Sequence, residues 1–277
     1  TTGQVASLST VQVQALTTAE VAGLTSVQAA ALTTQQVAAL TLVQVKALET
    51  GDLQALTTVQ VGGFGSTQLQ GMLTTQVSAL TTTQVVVLTS AQALGLSALQ
   101  VAALTTAQVA ALTTAQVSAL AAVQVSALET VDIQALGSAQ LLALETGDLQ
   151  ALTTAQVRAL QTGQLVVFAT GQVAALLPAQ VSVLSSDQVS ALTTSQVVAF
   201  GTQQVLALGT RQIPALTSMQ ASSLTTVQLR VLGVAQLSAF ETVDLQALTS
   251  AQVSAFGTDQ MQLFPTSQLA MLTTGQV

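Results

Sequence analysis

The stretch VAALTTAQVAALTTAQVSAL, residues 101–120, states one phrase twice and begins it a third time. Leu104, Leu112 and Leu120 stand eight apart, as do Gln100, Gln108 and Gln116. Read outward in both directions, the same register holds along the whole chain. We label the eight positions a to h, with a on Leu8, Leu16 and Leu24. Every a is Leu, Phe or Met, and all six Phe (Phe64, Phe168, Phe200, Phe240, Phe256 and Phe264) occupy it. Position f is always apolar, h is mostly Ala, and c is nearly always Thr or Ser. Position e is Gln except at Glu20, Asp52, Asp132, Asp148 and Asp244. The consensus is L-T-T-x-Q-V-x-A.

An eight-residue period restricts the backbone. In one continuous helix, eight residues at about 100° each would rotate the Leu stripe by about 80° per octad, so no coherent face would be buried. A coiled coil fails for the same reason, because its repeats lie near 3.5 or 3.67 residues. A strand accepts an even period, but it would mix Leu with Thr and Gln on one face and place the poor strand formers Ala and Gln throughout.

A short helix restarted in every octad agrees with the residues. Thr at b followed by Gln at e is the pattern of a capping box, in which the hydroxyl accepts a backbone N–H and the Gln side chain reaches back. Leu at a and Val at f then form the hydrophobic staple pair. Pro178 falls at c, the first helical position, where no N–H is needed. Gly at b (Gly65, Gly137, Gly201, Gly209, Gly233 and Gly257) suits a residue that ends one helix and starts the next. Pro214, at g, is expected to cost one helical bond.

On such a helix h, e, a and f share one side. All fifteen charges lie at b, d, e or g. Gln at e sits inside the apolar arc, so its amide must find partners. The capping bond supplies one, and a ladder of Gln side chains between neighbouring coils is expected to supply the rest. Helices this short do not persist alone, because nucleation is costly. They must stack, each octad burying its Leu, Val and Ala against its neighbours, with small Ala at h allowing close approach. The predicted fold is an all-α solenoid of short capped helices, one per octad. The acids at e are all separated by multiples of sixteen, which predicts two octads per coil. A β-solenoid is the alternative. Residues 1–277 read as a single continuous array. It begins and stops inside the pattern without polar capping units, so it is expected to be a fragment of a longer repeat region whose ends associate end to end.

Composition excludes more than it assigns. Four basic residues, Lys46, Arg158, Arg211 and Arg230, stand singly in a chain of net charge −7, against the clustered cations that nucleic-acid binding requires. His and Cys are absent, which removes the usual general base, the thiol nucleophile and nearly all zinc sites. Mean hydropathy is +0.65, yet Thr, Ser or Gln interrupts every few residues. No run approaches the roughly 18 apolar residues of a membrane span.

Three features are weighed as sites. Four octads pair acids at b and e: Glu49/Asp52, Glu129/Asp132, Glu145/Asp148 and Glu241/Asp244. With two octads per coil, Glu129, Asp132, Glu145 and Asp148 would cluster as a weak Ca²⁺ site. The plainer reading is acid at a helix N-terminus, favoured by the dipole. Rows of Thr at b and c offer a regular surface for a partner, a glycan or ice, or else simply cap helices. Phe and Met at a read as core variation rather than as a ligand pocket. No catalytic, cofactor-binding or metal-ligating residue is therefore assigned, no cofactor is expected, and the chain is read as a non-enzyme. Its partners are the neighbouring repeats of the same chain, without nucleic acid and without membrane insertion.

The L-T-T-x-Q-V-x-A array resembles the octapeptide-repeat regions of very large bacterial secreted and cell-surface proteins of the adhesin or exoprotein kind. The resemblance covers all 277 residues. It implies a structural spacer or stalk that holds another domain away from the cell, located outside the cell or on its surface.

Overall fold

A computed structural model describes residues 1–276. Among these residues there are 33 α-helices of four to six residues and no strand. The fold is an all-α solenoid of short helices. It divides into two compact units, Thr1–Leu144 and the residues from Glu145 onward.

The local geometry explains the period. Thr10–Ala15 is a typical helix. It ends at Leu16, an extended C-cap residue with φ −61° and ψ 136°, and the next helix starts after Thr17, again extended at φ −70° and ψ 159°. Six helical residues and two extended ones make the octad. The N-cap is b throughout, and Pro178 is the first residue of helix Pro178–Val181. Among the described residues none adopts positive φ. The glycines at b therefore do not serve as left-handed helix ends: Gly65 is extended at φ −71° and ψ 153°. The C-cap Leu needs no left-handed residue, because it turns straight into an extended link.

Helices do not pack on their next-but-one neighbour. Ser90–Gly95 packs against Ser66–Gly71 and Thr114–Ala119, which lie three octads away on either side. The same three-octad spacing joins Thr162–Val167 to Ser186–Ala191 in the second unit. Hydrogen bonds also reach four octads back, as described below. A coil of each unit thus holds between three and four octads, which corrects the expected two. The extended Leu–Thr link bends the chain at each junction without folding it back on itself, so two helices cannot close a coil. The multiples of sixteen among the acids do not mark one edge.

The core is built by f and a. Val101, Val109 and Leu69 are fully buried, and Leu104 and Leu112 nearly so. Each such side chain contributes roughly 1.5–3 kcal/mol on removal from water, which stabilises helices far too short to stand alone. Small residues at h meet c of the octad three places earlier. A Cβ on Gly63 would come within 2.5 Å of Thr34 Cγ2, and one on Gly95 within 3.0 Å of Ser66 Cβ. Close approach is therefore enforced at this contact.

Pro214 has a larger effect than the loss of one bond. Residues 209–216 form turns and no helix. The octad still holds its place: Ile213 is fully buried, and Gln212 Nε2 donates to Val181 O at 2.9 Å and Leu184 O at 2.8 Å. Packing and the Gln side chain preserve the register where the helix is lost.

Candidate functional site

The chemically informative position is e. In octad 97–104, the Ser97 N–H donates to Gln100 Oε1 at 2.8 Å, and the Gln100 N–H donates to Ser97 Oγ at 3.2 Å. The two bonds are reciprocal and close the helix N-terminus. The other end of the same amide points to an earlier coil. Gln100 Nε2 donates to Leu69 O at 2.8 Å, Gln70 O at 3.2 Å and Met72 O at 2.8 Å. Those carbonyls belong to the last turn and C-cap of the helix four octads back, where helical bonding runs out; Leu69 O also takes the N–H of the C-cap residue Met72 at 3.1 Å. Gln44 does the same to Val13 and Leu16, and Gln236 to Val205 and Leu208. The partners of the amide are main-chain carbonyls, in place of the expected ladder of Gln on Gln. Each Gln thus links the start of one helix to the end of another, and Gln100, Gln108 and Gln116 are each only 1% exposed.

Where b has no side-chain oxygen, half of the cap remains. The N–H groups of Gly65, Leu73 and Ala121 donate to Gln68, Gln76 and Gln124 at 2.7, 2.9 and 2.7 Å. Pro265 at b has no N–H at all. Gln268 Oε1 accordingly has no partner although the atom is buried.

The acid pairs are split by the fold. Glu49, Glu129, Glu145 and Glu241 are exposed N-cap residues, while Asp52, Asp132 and Asp244 are 2% exposed and Asp148 is 6%. The two members of a pair do not converge on a common site. Among the described residues no three His, Cys, Asp or Glu side chains come together as a metal-binding group. Glu129, Asp132, Glu145 and Asp148 are therefore not assembled into the Ca²⁺ site weighed from the sequence, since two octads do not make a coil.

The Asp carboxylates have an unforeseen partner. Thr106 Oγ1 donates to Asp132 Oδ1 at 2.9 Å, Ser26 Oγ to Asp52 Oδ1 at 3.0 Å, and Ser218 Oγ to Asp244 Oδ1 at 2.8 Å. Donor and acceptor are 26 residues apart, so the hydroxyl at c faces the acid of the octad three places later. Elsewhere a Ser at c reaches a main-chain carbonyl of that later octad, as Ser66 does with Ala91 O at 3.4 Å and Ser90 with Ala115 O at 3.0 Å. This cross-coil role explains in part why c is more uniformly Thr or Ser than b. Asp132 Oδ2 and Asp148 Oδ2 accept the N–H of Glu129 and Glu145 at 3.1 and 3.0 Å. Asp52 Oδ2 and Asp244 Oδ2 have no partner.

Burial pushes the carboxyls of Asp148 and Asp244 above the usual aspartate range. The Glu145 N–H opposes this at Asp148 and the Ser218 hydroxyl at Asp244, while the charges of Glu145 and Glu241 reinforce it. Glu20, fully exposed, is shifted the other way by hydrogen bonds from the Thr17 N–H and hydroxyl.

The remaining candidates have structural surroundings. Phe64, Phe168, Phe200 and Phe240 are buried core residues in the Leu slot. Phe256 and Phe264 meet edge to face, 5.1 Å between ring centres, in an apolar cluster with Leu245, Val253 and Met261. Thr hydroxyls at b are occupied by helix N–H groups, whereas Thr82 and Thr114 at c are exposed. Among the described residues no helix is long and apolar enough to cross a membrane.

The conserved chemistry of the octad is thus the Leu core, the b-to-e cap and the Gln amide. Comparison with known proteins finds that motif as a family. Residues 5–42, 45–82, 141–178, 169–202, 181–218 and 237–274 each match the ALTTAQ repeat. No curated protein matches the chain. The matched segments cover more than half of its length and fall in both units, so the chain belongs to the ALTTAQ repeat family.

Proposed function

We propose that this array is a non-catalytic spacer, a stalk segment of an exported bacterial surface protein of the adhesin kind. The observation that carries the reading is how the polar side chains are used. The polar groups of b and e, with several hydroxyls at c, bond to the array's own backbone or to its own side chains. What remains outside is a mixed surface of Thr, Ala, Ser, Gln and isolated Val. Such units add length by repetition, since each contacts only near neighbours.

The test is to insert or delete blocks of whole octads and follow helicity and size in solution. A spacer keeps its helical signal per residue, and its maximum dimension by small-angle scattering changes in proportion to the number of octads. A fixed dimension or collapse of helicity on adding octads would refute the reading. Exported location is tested by protease accessibility on intact cells of the source bacterium. A second reading, a binding surface for a partner, glycan or ice, draws on exposed Thr at c such as Thr82 and Thr114. It requires that Thr82→Val with Thr114→Val abolish a measurable binding while helicity is kept.

A further inference from the structure

Asp244 occupies the place of a Gln but lacks the donor that a Gln brings. In register, Gln at e gives its amide hydrogen to the a carbonyl 28 residues earlier, as Gln236 does to Leu208 at 2.8 Å. The corresponding carbonyl for Asp244 belongs to Leu216. An ionised carboxylate offers it nothing. Asp244 Oδ1 is held by the Ser218 hydroxyl, while Oδ2 has no partner and the residue is 2% exposed. A buried carboxylate oxygen therefore lies without a donor at the position where a Gln would bring one. Asp52 repeats the arrangement, with Oδ1 on Ser26 and Oδ2 unpartnered, whereas Asp132 and Asp148 hold Oδ2 on the N–H of Glu129 and Glu145; the feature goes with the octads whose acid makes no bond to its cap.

We propose that Asp244 is a proton-binding latch: its carboxyl takes a proton from solvent on Oδ2 and donates it to the main-chain carbonyl of Leu216. The protonated carboxyl then offers one donor and one acceptor, as the amide does. It is shorter than Gln by one carbon–carbon bond, about 1.5 Å. The octad that bears Leu216 is built of turns and not of a helix, which leaves its backbone to close that gap. The surroundings favour the neutral form. Glu241, on the same helix, adds a like charge. Helix Ser218–Ser223, packed against it, carries no ionisable side chain. Arg211, the one charge in residues 209–216, is exposed. Burial raises the Asp244 carboxyl above its unfolded value, so the stabilisation is complete below the ordinary aspartate range. It is lost as pH rises through the raised value.

The test uses the whole chain with ¹³C-labelled Asp carboxyls and the variant Asp244→Gln. The missing resonance in the variant assigns Asp244 in the parent. The latch predicts that this resonance titrates above the ordinary aspartate range. It also predicts that Asp244→Gln melts higher than the parent near pH 7, with the difference closing toward pH 4. Titration within the ordinary range would overturn the proposal, because an ionised carboxylate bridged by water would then occupy the slot. A melting difference independent of pH would overturn it equally. The variant installs the consensus residue, so loss of folding would also count against the reading.

Discussion

Octads 97–104 and 49–56 have the same Leu at the close, a helix that starts at c and a buried side chain at e, yet they are held differently. Gln100 accepts from its cap and donates to two coil carbonyls at 2.8 Å. Asp52 accepts one hydroxyl, from Ser26, and no bond joins it to the N–H of Glu49. The difference of an amide against a carboxylate one methylene shorter shows what the array needs at e: a side chain long enough to reach both ways, with a donor and an acceptor at its end. Glu at this place keeps the acceptor half, as Glu20 does with Thr17 N–H at 2.8 Å. Hydrophobic burial at a and f is common to both octads and sets no preference between them.

The largest effect that would sharpen this contrast is Gln100→Leu. It removes the partner of the Ser97 N–H and of the Met72 carbonyl, and leaves Leu69 O with the Met72 N–H alone, at a cost of about 3 kcal/mol. Hydrogen exchange across residues 65–104 should show a local loss of protection, and uniform protection would break the argument. Next in size is the reverse exchange, Asp52→Gln. Restoring the cap bond and the donors toward Leu24, against loss of the Ser26 bond, gives a gain of about 1–2 kcal/mol. Urea unfolding of the first unit's helical signal should shift to higher midpoint. The smallest effect lies on the outer face of the first octad of the pair. Leu99 at d is 76% exposed, and Leu99→Thr should change stability by less than about 0.5 kcal/mol. A large loss in a thermal melt would mean that d is covered in solution.

Much of the fold was legible at the level of one octad. Leu104 and Leu112 at a, Val101 and Val109 at f, and Gln100 at e carry the period. Pro178 marks the helix start, and the b-to-e spacing gives the link between consecutive helices. The acid pairs were legible as residues but not as geometry. That Asp132 lies in the core beside Thr106 while Glu129 faces solvent depends on a contact across 26 residues, and no local spacing encodes it.

The sequence by itself determined where each helix starts, its capping residue, its buried face and the absence of the usual catalytic side chains. These follow from bonds between residues three or four apart and from side-chain chemistry. Only the tertiary structure decided how many octads close a coil, where the second end of each Gln amide goes and which carboxylate oxygens are left without a donor. The physical reason is that the extended Leu–Thr link fixes the bend between helices through its backbone angles. A small angular difference there, repeated over three or four octads, selects which distant carbonyl meets which amide.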